Sequence, residues 1–213
     1  MPGYLPLCAY RQGLLPTACR SCAWWQTTGS GHGTPEAAAA KRHQWMTNLE
    51  DNWGSTGLLL EDGVAPAPAI VASINFAPAA AVPRLHRLPV GPLPAGSTLL
   101  FCLRLEEGQT QPQAKRLLRK ALGQLKDRDV EEVYAVASYS GGTQDGNRCE
   151  FFSLDFLSAN GFEQVMGNGQ LFLMRSDLRG LLSLIDHLEA AVRRVLRIEP
   201  TPSPAAWTRR ETP

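Results

Sequence analysis

The hydrophobic pattern changes period several times along the chain, and each change marks an element. Residues 98–106, TLLFCLRLE, are an almost continuous apolar run, the pattern of a central strand buried on both faces. Over 111–127 the period becomes helical. Ala114, Leu117, Leu118, Ala121, Leu122 and Leu125 share one face, and Lys115, Arg116, Arg119, Lys120 and Lys126 the other. VEEVYAVAS, residues 130–138, is again a strand. Strand, helix and strand in that order predict a parallel, right-handed crossover.

Upstream, GSGHGTPEAAAA (Gly29 to Ala40) reads as a flexible loop entering a helix that ends near Gly54. Thr34 is its cap, Pro35 suits its first position, and Glu36 favours its positive end. Two strands, 56–61 and 69–75, follow, joined by an Asp-Gly turn and a proline-rich link. Residues 77–97 form a proline-rich loop long enough to be either functional or mobile. Downstream, SGGTQDGN is a loop, FFSLDFLSANGF a helix closed by Gly161, and EQVMGNGQLFLMRS a hairpin around Gly167 and Gly169.

A last helix, Asp177 to Ile198, carries Leu178, Leu181, Ile185, Leu188, Val192 and Val195 at alternating steps of three and four. That stripe either packs on its own domain or forms a homodimer seam. The expected division is an irregular segment 1–18, a domain 19–176, an amphipathic helix 177–199 and a disordered tail 200–213. The fold class is α/β with a mixed sheet.

Composition narrows the function. The chain has 213 residues, 44% of them apolar, with a mean hydropathy of −0.17. That supports a folded core and argues against general disorder. A net charge of +1 supplies no field to recruit nucleic acid or an anionic membrane. No apolar run approaches the roughly 18 residues of a membrane span. The first residues lack the basic start and apolar core of a signal peptide, so the expected location is cytoplasmic.

Five cysteines, at 8, 19, 22, 102 and 149, are an odd set and read as reduced thiols. Cys19 and Cys22 have metal-ligand spacing, but a zinc site needs two more ligands, which Cys149, His32 or His43 could bring after folding. No metal is assigned. Trp24, Trp25, Trp45 and Trp53 read as core and groove walls, since no basic cluster accompanies them.

The element order resembles the GNAT superfamily of acyl-CoA-dependent N-acetyltransferases. DFLSANGF, Asp155 to Phe162, is similar to the helix-ending F-Y/L-x-x-x-G-F of that superfamily. One actinobacterial-type branch carries C-x-x-C-x-W-W-E, then a W-G-x-x-G…DG strand pair and a proline-rich loop. CRSCAWWQ (Cys19 to Gln26), WGSTG…EDG (Trp53 to Gly63) and FAPAAAVPR (Phe76 to Arg84) stand in those places, and Cys149 resembles the branch's cysteine before its F-L helix. The similarity covers roughly residues 19–175.

The resemblance implies acetyl-CoA as cofactor and an amine, small or on a protein, as acceptor. GNAT enzymes place R/Q-x-x-G-x-G/A where the long strand meets the next helix, so that backbone amides and the helix N-terminus hold the pyrophosphate. Here those glycine positions fall on Gln111, Gln113 and Lys115, beside Ala114 and Arg116, and Pro112 among them has no N–H. This predicts a helix start without a tight anion nest. Lys115, Arg116, Arg119 and Lys120 either contact phosphates or form a solvated face.

Transfer also needs a base, an oxyanion stabiliser and an acid for the leaving thiolate. The strand amides from Leu103 to Leu105 are the candidate stabilisers if the ladder splays there. Glu106, with Glu107 beside it, is a candidate base. The tyrosine that many GNAT enzymes use as acid is Leu157 here, leaving Tyr139 as a replacement. The glutamate expected after the Trp-Trp pair is Gln26, which cannot act as a base. The chain therefore reads as a divergent GNAT-fold N-acetyltransferase, or as a non-catalytic GNAT-fold module for ligand sensing or assembly.

Overall fold

A computed structural model describes residues 3–29, 33–62, 69–139 and 151–179. The chain divides into two compact units, Met1–Leu178 and Arg179–Pro213. His32, Cys149, the whole SGGTQDGN loop, the seam positions Leu181, Ile185, Leu188, Val192 and Val195, and the tail lie outside the described residues.

Eight strands make one sheet: β1 (Gly3–Pro6), β2 (Gly57–Asp62), β3 (Ala69–Pro78), β4 (Thr98–Leu105), β5 (Glu132–Ser138), β6 (Phe152–Ser153), β7 (Glu163–Gly167) and β8 (Leu171–Asp177). The strand order is β1-β2-β3-β4-β5-β8-β7, with β6 also paired to β5. β4 and β5 are parallel, as the crossover pattern requires, and β1 through β4 are successively antiparallel. Among the described residues the α-helices are α1 (Thr17–Arg20), α2 (Pro35–Glu50), α3 (Gln111–Lys126) and α4 (Leu154–Ser158).

α3 supplies one layer. Its six predicted apolar positions, Ala114 through Leu125, are all buried. They pack with Ile74, Phe76, Leu100, Val133 and Ala135 from the strands, and Leu157, Phe162 and Leu178 join the same core. The opposite face is covered by the N-terminal segment, α2 and the long loop. Trp25, Val82, Leu85, Val90, Leu99, Phe101 and Tyr134 form its core. Thr34 caps α2 through its side chain, which accepts from the Ala37 amide at 3.3 Å, and Pro35 opens the helix.

Three expectations change. Residues 3–18 are not irregular. β1 adds an edge strand to β2, and a 3-10 helix spans Ala9–Leu14. Four strand residues bounded by Gly3 and Pro6 are too few to show a period, so the sequence pattern hid them. The 77–97 loop is built rather than loose, with 3-10 turns at Ala79–Ala81 and Pro83–Arg87 and buried Val82, Leu85 and Val90. Leu178 is 1% exposed in the α3-side core, and its amide donates to the Glu131 carbonyl at 2.8 Å. It is not available to a dimer seam.

Candidate functional site

The site begins with a discontinuity in β4. Between Asn75 opposite Phe101 and Ser73 opposite Arg104, β4 carries one residue more than β3. The extra residue makes a bulge, and Cys102 within it takes a left-handed backbone, φ 52°. β4 pairs with β5 only from Thr98 to Leu100, so the strands part at the bulge. On that vacated edge of β5 sits β6, with Phe152 beside Ala137 and Ser153 beside Ser138.

The parting opens a cleft of about 520 Å³, its mouth included, lined by Leu103, Leu105, Gln111, Ala114, Phe151, Phe152, Ser153 and Phe156. The walls are mostly apolar, and none of these side chains ionises. The backbone supplies polarity. The Glu106 amide donates to the Val71 carbonyl at 2.9 Å, so Glu106 faces Val71 as a hydrogen-bonded pair. By strand alternation the Leu105 peptide edge points away from β3, into the gap left by β5.

At the far end stands the α3 N-terminus, and its own residues close it. Gln113 folds back so that its Oε1 accepts from the Thr110 amide at 2.7 Å and the Thr110 hydroxyl at 2.9 Å, and its Nε2 donates to Gln109. This is a capping box. Side-chain capping thus stands where the resemblance implies glycine-rich amides.

Of the seven sequence-predicted cofactor positions, Leu103, Leu105, Gln111 and Ala114 line the cleft. Gln113 is the cap, while Lys115 is half-buried and Arg116 exposed on α3, neither among the lining residues. Glu106 lies beyond the end of β4, its carboxylate 3.9 Å from Arg104 Nε, on the face opposite Leu103 and Leu105. Tyr139 is 72% exposed and rests edge-on against Phe172, ring centroids 4.8 Å apart. The geometry does not bring Tyr139 to the cleft wall. Leu157 is fully buried in the α3-side core.

Sequence reasoning missed Phe151, Phe152, Ser153 and Phe156 as cleft walls, and two arginines behind it. The FF pair reads as helix in the pattern, yet pairing with β5 draws Phe152 and Ser153 into a strand. Ser153 caps α4, its hydroxyl accepting from the Phe156 amide at 3.4 Å. Phe151 also packs edge-on against Trp24 and Trp25, at 5.7 and 6.2 Å, which joins the cleft wall to the Trp-Trp turn.

Arg84 holds that turn to the long loop. Its Nε donates to the Trp24 carbonyl at 3.1 Å, and its guanidinium also reaches Thr27, Thr28 and Gly29 and stacks 4.6 Å over the Trp24 ring. Arg42, 2% exposed, donates to the carbonyls of Cys19 and Cys22. The Cys-x-x-Cys turn therefore presents two carbonyls to a buried cation. Among the described residues no group of three His, Cys, Asp or Glu side chains is placed to hold a metal ion. No described helix is long and apolar enough to cross a membrane.

No protein-family model and no curated protein sequence matches the chain. Solved structures do. The PaiA N-acetyltransferase from Thermoplasma acidophilum, in complex with coenzyme A, is 16% identical with a TM-score of 0.51, covering 83% of this chain and 99% of that one. An N-acetyltransferase from Staphylococcus aureus Mu50 is 12% identical, TM-score 0.52, covering 84% and 99%. A ribosomal-protein-alanine N-acetyltransferase from Brucella melitensis is 14% identical, TM-score 0.51, covering 82% and 99%. At these identities the likeness speaks for the backbone alone, and with the splayed, bulged β4 it gives the conclusion that this chain has the GNAT N-acetyltransferase fold.

Proposed function

We propose that the chain binds an acyl-CoA in the cleft between β4 and β6 and transfers its acyl group to an amine. The observation that carries this reading is the parting of β4 from β5 after Leu100, which turns the strand edge at Leu103 and Leu105 into an apolar cleft. The donor set fits part of such a ligand. A pantetheine arm needs apolar walls and backbone partners, and Leu103, Leu105, Ala114 and Phe152 offer both. The phosphate end has less, because Pro112 lacks an N–H and Gln113 caps the helix. Lys115 and Arg116 would supply charge there from the flank.

Bound acyl-CoA would bring an activated thioester. The chain's own share is to aim the peptide edge at Leu103 to Leu105 toward the thioester oxygen. The attacking amine forms the new C–N bond as the C–S bond breaks. Glu106 is the candidate base for the proton the amine gives up; the thiolate leaves toward the cleft mouth, where solvent or Tyr139, exposed just past β5, supplies its proton. The acceptor would enter from the face carrying Glu106, beside the 77–97 loop.

Calorimetry with acetyl-CoA tests this. Binding by the intact chain that is lost in Leu105→Pro supports it, since proline deletes an N–H turned toward the cleft and no β3 ladder bond. No detectable binding of acetyl-CoA or of a longer acyl-CoA overturns it. The closed α3 N-terminus favours a second reading, a GNAT-fold module that senses or assembles without turnover. Acyl-CoA binding with no thiol release across a panel of amines would support that second reading.

A further inference from the structure

The buried stripe of α2 is Ala38, Arg42 and Met46, so a cation stands where an apolar residue would ordinarily pack. Besides the carbonyls of Cys19 (3.2 Å) and Cys22 (3.3 Å), Arg42 donates to Asn75 Oδ1 at 2.7 Å, in a fully buried contact. All three partners are neutral. A guanidinium has donors only, so it fixes which way the Asn75 amide turns. The oxygen faces Arg42, and Nδ2 is left to donate to the Cys102 carbonyl at 3.4 Å.

Cys102 is the left-handed residue of the β4 bulge. A side chain disfavours that backbone, because Cβ crowds the following carbonyl. Something must offset the preference, and the Asn75 amide is a side-chain donor placed to do so, on the Cys102 carbonyl. The bulge in turn separates the β4 segment that pairs with β5 from the segment that lines the cleft.

We propose that Asn75, oriented by Arg42, is a positioning residue: it holds Cys102 left-handed and so sets where β4 leaves β5 and how the Leu103–Leu105 edge is aimed. The inference rests on the acyl-CoA reading of the cleft for its functional meaning. An apolar pair at 42 and 75 could fill the same volume without burying a charge, so packing alone does not call for this arrangement.

Asn75→Asp separates positioning from stability. The carboxylate keeps an oxygen toward Arg42 and gives that buried cation a charged partner, while the atom facing the Cys102 carbonyl becomes a second acceptor. Cys102→Gly removes the Cβ that opposes the left-handed backbone, so it should restore the bulge in the Asn75→Asp background. The measurements are thermal melting, acetyl-CoA calorimetry, and ligand-free amide exchange at Arg104, the first amide past the bulge that faces β3. Asn75→Asp is expected to melt no lower than the natural chain and to bind acetyl-CoA about tenfold more weakly, the order of one lost hydrogen bond. Arg104 exchanges faster in it, and Asn75→Asp/Cys102→Gly recovers both readouts.

Unchanged affinity and exchange in Asn75→Asp would overturn the proposal, as would a double variant that recovers neither. If the natural chain binds no acetyl-CoA, the cofactor reading fails, and the exchange at Arg104 still decides the positioning role by itself. Should Asn75→Asp not fold, Asn75→Ala with and without Cys102→Gly takes its place on the same readouts.

Discussion

Arg84→Ala cuts the tie between the long loop and the Trp-Trp turn, and its cost can be worked from the contacts. Thr28 and Gly29 are exposed, so water replaces the guanidinium at their carbonyls with little loss. The Trp24 carbonyl contact at 3.1 Å is half-buried and comes from a charged donor, about 1.5 kcal/mol. The stack over Trp24 adds about 0.5–1 kcal/mol. The backbone bond from the Arg84 amide to the Trp25 carbonyl survives the substitution.

The sum, about 2–2.5 kcal/mol before the weak 3.4 Å contact to the Thr27 hydroxyl is counted, lowers the melting temperature by roughly 4–10 °C for a chain of this size. Arg84→Lys falls between, since an ammonium keeps the charge over the ring but not the fork that spans Trp24 and Thr27. Calorimetric melting of the three proteins in one buffer is the assay. An Arg84→Ala protein within about 1 °C of the natural chain would refute the anchoring argument.

Three further outcomes are expected. In Gly57→Ala the new Cβ would sit 2.3 Å from the Ile74 carbonyl oxygen, so β2 or β3 must move, and the urea midpoint should fall by an amount equal to about 1–3 kcal/mol. Burial, and then the hydrogen bond to Glu132, raise the Tyr134 phenol above its ordinary value, so stability is full below about pH 10 and is lost as pH rises through the folded value. Tyr134→Phe should be less stable at neutral pH yet show a flatter alkaline profile; an equally steep profile would discount the phenol. Gln113→Ala removes the capping box and should cost about 1 kcal/mol while freeing the Thr110 amide, so acetyl-CoA affinity should rise as stability falls. An affinity that falls with stability would remove the idea that the cap competes with the ligand.

Much of the layer arrangement was legible because α3 and β4 keep strong, unbroken periods. Ala114 to Leu125 read as one buried face and are one. The site was legible only by halves. Leu103, Leu105, Gln111 and Ala114 could be placed because they lie on those periodic elements. Phe151 to Phe156 could not, since the two-residue β6 owes its existence to the edge that β4 vacates, a tertiary event no local pattern records. Arg42 was hidden for a related reason: a charge on a helix reads as a solvated position unless the carbonyls that bury it are known. The Cys-x-x-Cys spacing points to its thiols, while Arg42 binds the main-chain oxygens of the same two residues.

The two ends of the cleft depend on different parts of the chain. At the phosphate end, binding would rest on bare amides, which a proline and a capping glutamine diminish. At the acyl end it would rest on backbone geometry, which side-chain substitution leaves intact so long as the bulge is held. Here the bulge is held by Asn75, oriented by a buried cation with neutral partners, an arrangement that costs desolvation and that an apolar core would not require. The structure therefore concentrates its polar support behind Cys102 and leaves the α3 corner closed. A ligand held mainly along Leu103 and Leu105 should lose little affinity when its phosphates are removed. Comparing acetyl-CoA with acetyl-pantetheine measures that difference directly, and a loss beyond about a hundredfold, near 2.7 kcal/mol, would move the binding energy back to the corner that Gln113 occupies.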